Sequence, residues 1–118
     1  MPEEGRYAYS GLERIFHEKA RLSILTSLAA NKNGLLFPDL KEVCALTDGN
    51  LARHLQALQE ADLIVVKKST GRTHVRLSAG GRKRFVAYLE ELERVVQDAA
   101  QRQKGKGRGK GEGGWATA

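Results

Sequence analysis

The stretch Leu46-Thr47-Asp48-Gly49-Asn50-Leu51-Ala52-Arg53-His54-Leu55, running on through Gln56-Ala57-Leu58 to Ala61, decides how this chain is read. Leu51, Leu55 and Leu58 recur at i, i+4 and i+7, which gathers them on one face of a helix. Thr47 stands before the run as an N-cap, its hydroxyl placed to accept a backbone N–H that the first turn leaves unpaired. The pattern predicts a helix from Asp48 to about Ala61. Its opposite face collects Thr47, Asp48, Asn50, Arg53, His54 and Ala57. Just upstream, Pro38 suits a first helical position, where no N–H is needed, and Asp39 suits the positive end of the helix dipole. Leu40, Val43 and Cys44 give this shorter helix its inner face. Only about Ala45–Leu46 separates the two, and helices joined by so short a turn form a helix-turn-helix unit.

Working outward, Leu22, Leu25, Leu28 and Ala29 share a stripe over roughly Lys19–Ala30, and Asn31, Asn33 and Gly34 stop that helix by tolerating left-handed backbone. Ser10 and Glu13 have the spacing of a capping box, with Leu12, Ile15 and Phe16 on one face behind it. Downstream the period changes. Leu63-Ile64-Val65-Val66 is β-branched, Ser69-Thr70-Gly71-Arg72 is turn chemistry, and Thr73 to Leu77 alternates, so a β-hairpin is expected. Ser78 and Gly80-Gly81 lead into a last helix, about Arg82 to Gln103. Phe85, Leu89, Leu92, Val96 and Ala99 step 4-3-4-3 along it as a heptad seam, with Glu90 and Arg94 as a supporting pair. The expected fold class is α+β, mainly α, with a two-stranded hairpin and a long C-terminal helix. Residues 1–9 read as an N-terminal arm, 10–103 as one folded domain, and 104–118 as a disordered Gly/Lys-rich tail, because glycine alternating with charge has nothing to pack.

Composition narrows the function. The 118 residues fit one domain, with 20 Lys+Arg against 14 Asp+Glu for a net charge of +6. Residues 1–101 carry 15 basic and 13 acidic side chains, so most of the excess lies in the tail. Inside the domain, however, Lys67, Lys68, Arg72, Arg76, Arg82, Lys83 and Arg84 lie between Leu63 and Leu89 without one acid. That polarisation, rather than the total, suits a polyanion. The lone cysteine, Cys44, excludes an internal disulfide and a paired-cysteine zinc site, and on an apolar helix face it reads as core. His17, His54 and His74 are scattered over separate elements, so no metal site and no cofactor is expected. The acidic N-terminus lacks the basic flank and apolar core of a signal peptide, and no apolar run spans a bilayer. A cytoplasmic protein with no membrane partner is the expectation. No phosphate-binding loop, nucleophile elbow or paired-carboxylate arrangement is present, so the chain reads as a non-enzyme.

Helix, helix, helix-turn-helix, hairpin and long helix is the element order of a winged helix-turn-helix domain. His17-Glu18-Lys19-Ala20-Arg21-Leu22-Ser23-Ile24-Leu25 resembles the first helix of bacterial and archaeal winged-helix transcriptional regulators of the ArsR/MarR type. Leu46 to Leu55 is similar to their recognition helix. Gln59-Glu60-Ala61-Asp62-Leu63-Ile64 and Arg76-Leu77-Ser78-Ala79-Gly80-Gly81-Arg82 look like the segments on either side of their wing. The resemblance covers about residues 10–100 and points to a small MarR-like branch of standalone winged-helix proteins. Asp62 departs from it by replacing the usual glycine, and Ala52 by standing where serine is common.

The resemblance implies a sequence-specific regulator of transcription that binds double-stranded DNA as a homodimer. The first turns of a recognition helix reach base edges in the major groove. By general chemistry Arg53 suits guanine and Asn50 suits adenine, each through two hydrogen bonds. Asp48 is placed either to accept from a cytosine amino group or to orient Arg53. The expected DNA-binding residues are Thr47, Asp48, Asn50, Arg53 and His54 on the helix, and Lys67, Lys68, Arg72, Thr73 and His74 on the wing. Leu12, Ile15, Phe16, Phe85, Leu89, Leu92 and Val96 are the expected dimer interface, with Tyr7 and Tyr9 either covering the partner or untethered. Two other readings stay open: a winged-helix module that binds protein, and a regulator with an unknown small-molecule effector at its dimer interface.

Overall fold

The structure, a computed structural model, describes residues 5–103. A single 3-10 turn, Arg14–Phe16, precedes α1 (Lys19–Ala30), β1 (Leu35–Leu36), α2 (Phe37–Cys44), α3 (Asp48–Glu60), β2 (Ile64–Ser69), β3 (Arg72–Leu77) and α4 (Ala79–Gln103). Ile24, Leu25 and Leu28 of α1, Leu40 of α2 and Leu51, Leu55 and Leu58 of α3 bury one another. Leu63, Ile64, Val75 and Leu77 close that core on the sheet side, and Phe16, Phe85 and Tyr88 close it against α4. Val43, expected inward, is 63% exposed, so α2 presents only Leu40 fully to the core and Cys44 partly.

Two helix ends fix the layout. Ala45 takes a left-handed backbone with φ 54°, and the N–H of Leu46 reaches back to the Lys41 carbonyl at 3.1 Å. Thr47 follows at once as the N-cap of α3, its Oγ1 accepting from the Asn50 N–H at 3.1 Å. At the other end of α3, Asp62 stands at φ 61° and the Leu63 N–H closes onto the Leu58 carbonyl at 3.0 Å. Both are Schellman-type stops built without glycine. Asp tolerates the left-handed region better than most residues, which is how this chain turns where a glycine is usual.

The sheet is three-stranded and antiparallel, in the order β1-β3-β2, where only the hairpin was expected. Leu35 pairs with Val75 and Leu36 with His74. A strand of two residues carries no period, so alternation offers nothing to detect. Gly34 makes the pairing possible: it stands at φ +90°, and a Cβ there would collide with the Val75 carbonyl oxygen. The hairpin register runs from Ile64↔Leu77 to Ser69↔Arg72. Thr70 (φ 45°) and Gly71 (φ 75°) form its two-residue tip, the type I′ geometry whose twist matches paired strands.

The N-terminal segment departs most from expectation. Ser10 and Glu13 form no capping box and no helix starts there. Glu13 instead receives the Arg84 guanidinium at 2.7 and 3.5 Å, while Arg84 also donates to the Ala61 carbonyl at 3.2 Å. This hydrogen bond holds the guanidinium even more firmly protonated than usual. Gly11 donates its N–H to Glu91, Tyr9 donates its hydroxyl to Asp98 at 2.7 Å, and Arg94 lies over the Tyr9 ring. The Asp98 bond pushes the Tyr9 hydroxyl pKa above its ordinary value. The described part of the arm is therefore strapped along its own α4. Glu91 takes the ion pair with Arg94, at 3.4 Å, that was expected for Glu90.

Helix α4 begins at Ala79, a turn before the expected Arg82. Ser78 caps it: Oγ accepts from the Gly81 N–H and donates to the Asp62 carbonyl, both at 2.8 Å. A Cβ on Gly81 would collide with the Leu63 carbonyl, so glycine here is what lets the start of α4 lie against the chain entering β2. The inward face of α4 is Phe85, Tyr88 and partly Leu92. Burial among these rings raises the Tyr88 pKa. The residues 104–118 expected to be a disordered tail lie outside the described residues.

Candidate nucleic-acid interface

Burying Leu51, Leu55 and Leu58 turns the other side of α3 to solvent, and the polar residues of that side are exposed from Thr47 to Glu60. Asn50, Ala52, Arg53 and Gln56 form its middle. Arg53 donates to the Asn50 side-chain oxygen at 2.9 Å. Gln56 donates its Nε2 to Glu60 at 3.3 Å. Asp48 is held by Lys41 of α2 at 2.9 Å and does not orient Arg53, so the pair at the α2–α3 junction offsets the negative charge a phosphate would meet.

His54 is not on this face. It is 5% exposed and packs inward, its Nδ1 lying 3.4 Å from the Glu18 carboxylate at the start of α1. That nitrogen and Arg21 Nε, 3.8 Å from the same carboxylate oxygen, are buried without a hydrogen bond among the described residues. The helical repeat explains the placement: His54 falls roughly 60° from Leu51 around the axis, inside an apolar stripe that is at least about 100° wide. Gln56 was missed, although it follows Arg53 by three residues and shares its side of the helix.

The hairpin splits the expected wing residues between two faces. Register and alternation put Lys68 and Thr73 on the core side, where they line a groove with Phe37, Ala52, Gln56 and Gln59. Lys67, Arg72, His74 and Arg76 occupy the other side. His74 is half-buried beside Gly34. Lys68 is exposed beside the groove along α3, Arg72 is exposed at the hairpin tip, and Lys67 is exposed on the opposite face, level with Leu36 of β1. Of the other basic residues in the acid-free stretch, Arg84 is turned to Glu13, and Arg82 and Lys83 stand on the first turns of α4, at the opposite end of β3 from the tip.

The expected dimer residues also divide. Phe16 is fully buried and Phe85 is 1% exposed, stacked into the core with Tyr88, so both belong to the protomer's interior. Leu12, Ile15 and Leu92 are half-buried against that core. Leu89 and Val96 are 40% and 51% exposed, and Val86 joins them at 45%. Among the described residues no helix is long and apolar enough to cross a membrane, and no group of three His, Cys, Asp or Glu is placed to hold a metal ion.

A three-helix core, a hairpin wing on a small antiparallel sheet and a polar helix facing solvent beside it define a winged helix-turn-helix, a DNA-binding rather than a catalytic architecture. The chain belongs to the winged helix DNA-binding domain family, whose model matches residues 20–96. It is 37% identical over 83 residues to an uncharacterized protein of Methanocaldococcus jannaschii, covering 67% of this chain and 89% of that one. The fold is shared with a transcriptional regulator homologue from Pyrococcus horikoshii OT3 at a TM-score of 0.73 and 23% identity, covering 80% of this chain and 98% of the other. It is shared also with MepR, a transcription regulator of the Staphylococcus aureus multidrug efflux pump MepA, at a TM-score of 0.63 and 20% identity over 73% and 64% of the two chains.

Proposed function

We propose that this protein is a cytoplasmic, sequence-specific transcription regulator that binds double-stranded DNA as a homodimer. Helix α3 enters the major groove by its first turns, and the hairpin tip lies on the phosphate backbone. The observation that carries this reading is the exposed row Asn50, Arg53 and Gln56 on α3, flanked by the cationic wing with Lys67, Lys68 and Arg72. Base edges need placed donors and acceptors, whereas phosphates need positive charge without sequence discrimination. A module that binds protein would more often present large apolar anchors on this face, and among the described residues α3 exposes none, whereas Val86, Leu89 and Val96 are exposed on α4 and Val43 on α2. In this reading α4 and the N-terminal segment, with Leu12, Ile15, Leu89, Leu92 and Val96, meet a second copy around a two-fold axis. The proposed DNA contacts are Thr47, Asn50, Arg53 and Gln56, with Lys67, Lys68, Arg72 and Thr73 from the wing.

Selection of bound duplexes from a random DNA pool tests it. An inverted repeat with half-sites about one helical turn apart is expected. Recovery of no enriched sequence, with binding that depends on salt alone, would overturn specific recognition and favour the interaction module.

A further inference from the structure

Helix α3 ends without a cation of its own: its last turn has no basic residue and carries Glu60. The unpaired carbonyls at such an end hold partial negative charge, which a nearby cation stabilises. Here the cation comes from another element. Arg84, on the second turn of α4, donates Nη1 to the carbonyl of Ala61, the C-cap of α3, at 3.2 Å. Glu13 takes its other edge, with Nη2 2.7 Å from one carboxylate oxygen and Nε 3.5 Å from the other. A guanidinium is a rigid planar fork, so seating one edge on Glu13 fixes where Nη1 points. One side chain thus joins the N-terminal segment, α4 and the end of α3.

We infer that Arg84, braced by Glu13, is a positioning residue that sets the tilt of α3 against α4, and thereby the half-site spacing the dimer accepts. This rests on the proposed homodimeric DNA binding, in which α4 lies at the two-fold axis. The start of α4 supplies a pivot, where Ser78 donates to the Asp62 carbonyl and Gly81 lies against the Leu63 carbonyl. Arg84 stands six residues beyond Ser78, about 9 Å farther along the helix axis. Directional contacts at both places restrain a tilt that the pivot alone leaves free. Phe85 and Tyr88 pack on Phe16, and apolar packing has no direction of its own. The Arg84 and Glu13 side chains are 41% and 39% exposed, so their pair adds little to stability and acts on orientation. The lever is long: α3 has 13 residues, which puts its first turn about 20 Å from Ala61. A swing of about 5° at the C-cap moves that turn by about 1.7 Å. Opposite swings in two protomers then change the half-site distance by about 3.4 Å, one base pair.

The full chain is used to select an inverted repeat from a random DNA pool. Affinity is then measured on that repeat, on copies with one base pair inserted or removed between the half-sites, and on a single half-site. For the unaltered protein each change of spacing is expected to cost roughly tenfold, as for a lost base contact. R84M removes the fork but keeps an unbranched side chain, and E13Q removes only the charge of the brace. Both are expected to keep the dimer mass and the affinity for a single half-site. Their spacing penalty should fall to about threefold or less, half the original on a logarithmic scale. An unchanged penalty in both variants overturns the inference. So does an equal loss on the half-site and on every spacing, the mark of a residue that only supports the fold. E13Q leaves Arg84 in place and decides the matter where R84M folds poorly. An unaltered protein that selects no inverted repeat, or is indifferent to its spacing, overturns the homodimer reading and this inference with it.

Discussion

Arg53 and His54 are sequence neighbours with opposite fates, and the difference is testable at each. Arg53 is exposed and braced by Asn50. Arg53→Ala is expected to weaken binding to the selected site by about 1–3 kcal/mol and to relax one base position, measured by fluorescence anisotropy against single-base variants of the site. Unchanged affinity and preference would remove Arg53 from the contact surface. His54 carries a buried ring nitrogen with no hydrogen bond among the described residues, and an unsatisfied buried polar atom costs about 1–3 kcal/mol. His54→Leu is therefore expected to keep or raise the thermal midpoint while leaving base preference untouched. A lowered midpoint would mean that the contact with Glu18 outweighs the desolvation. Backbone effects are as local. At Asp62, a φ of 61° is strained for a side chain and free for glycine, so Asp62→Gly should stabilise by about 1 kcal/mol. Gly81→Ala should destabilise by about 2–3 kcal/mol or more in urea unfolding, because its Cβ meets backbone that has nowhere to relax.

In the proposed function the wing acts by charge and α3 by placed donors. Arg72 stands at the hairpin tip across from Ser69, with no acid within the strands on either side. Arg72→Ala is expected to lower affinity for all sequences alike and to reduce the slope of log affinity against log salt by about 0.9, one released counterion. A loss confined to one base pair would mean that Arg72 reads sequence. The elements legible from sequence are those whose signal is long and periodic: α1 and the leucine row of α3 stand where periodicity put them, and Thr47 caps α3 as its side chain predicts. The missed features lack that kind of signal. Strand β1 exists because Val75 and His74 offer it an edge, a tertiary partner no local window contains. The Ser10/Glu13 spacing satisfied a local rule, but Glu13 finds a stronger partner in Arg84, 71 positions away. His54 was misplaced for a different reason. Its polarity suggests an outward place, but its angular position relative to the leucines falls inside the apolar stripe. The order of the site's elements was thus readable, and the pairing of its side chains was not.

In the whole molecule, α4 leaves part of its apolar surface uncovered. Its core-facing side is Phe85, Tyr88 and Leu92, yet at 25 residues it is roughly 37 Å long and runs well past them. Leu89 and Val96, one heptad apart, are open at the edge of that face. The strap formed by Tyr9, Gly11 and Glu13 bonds to Asp98, Glu91 and Arg84, which the helical repeat puts on the far side of α4 from Leu89 and Val96, so it leaves both uncovered. A two-fold pairing of these surfaces would set two α3 helices against one face of a duplex, and that coupling is what makes an inverted repeat readable. Replacing both Leu89 and Val96 by Asp puts charge where two apolar strips would meet, yet alters side chains that the isolated fold already leaves in water. Helical content and cooperative unfolding should therefore survive. Sedimentation should report half the mass of the unaltered protein, and affinity should fall for the full inverted repeat but not for a single half-site. A retained dimer mass would move the interface off this stretch of α4. A halved mass with unchanged affinity for the full repeat would separate dimerisation from DNA recognition.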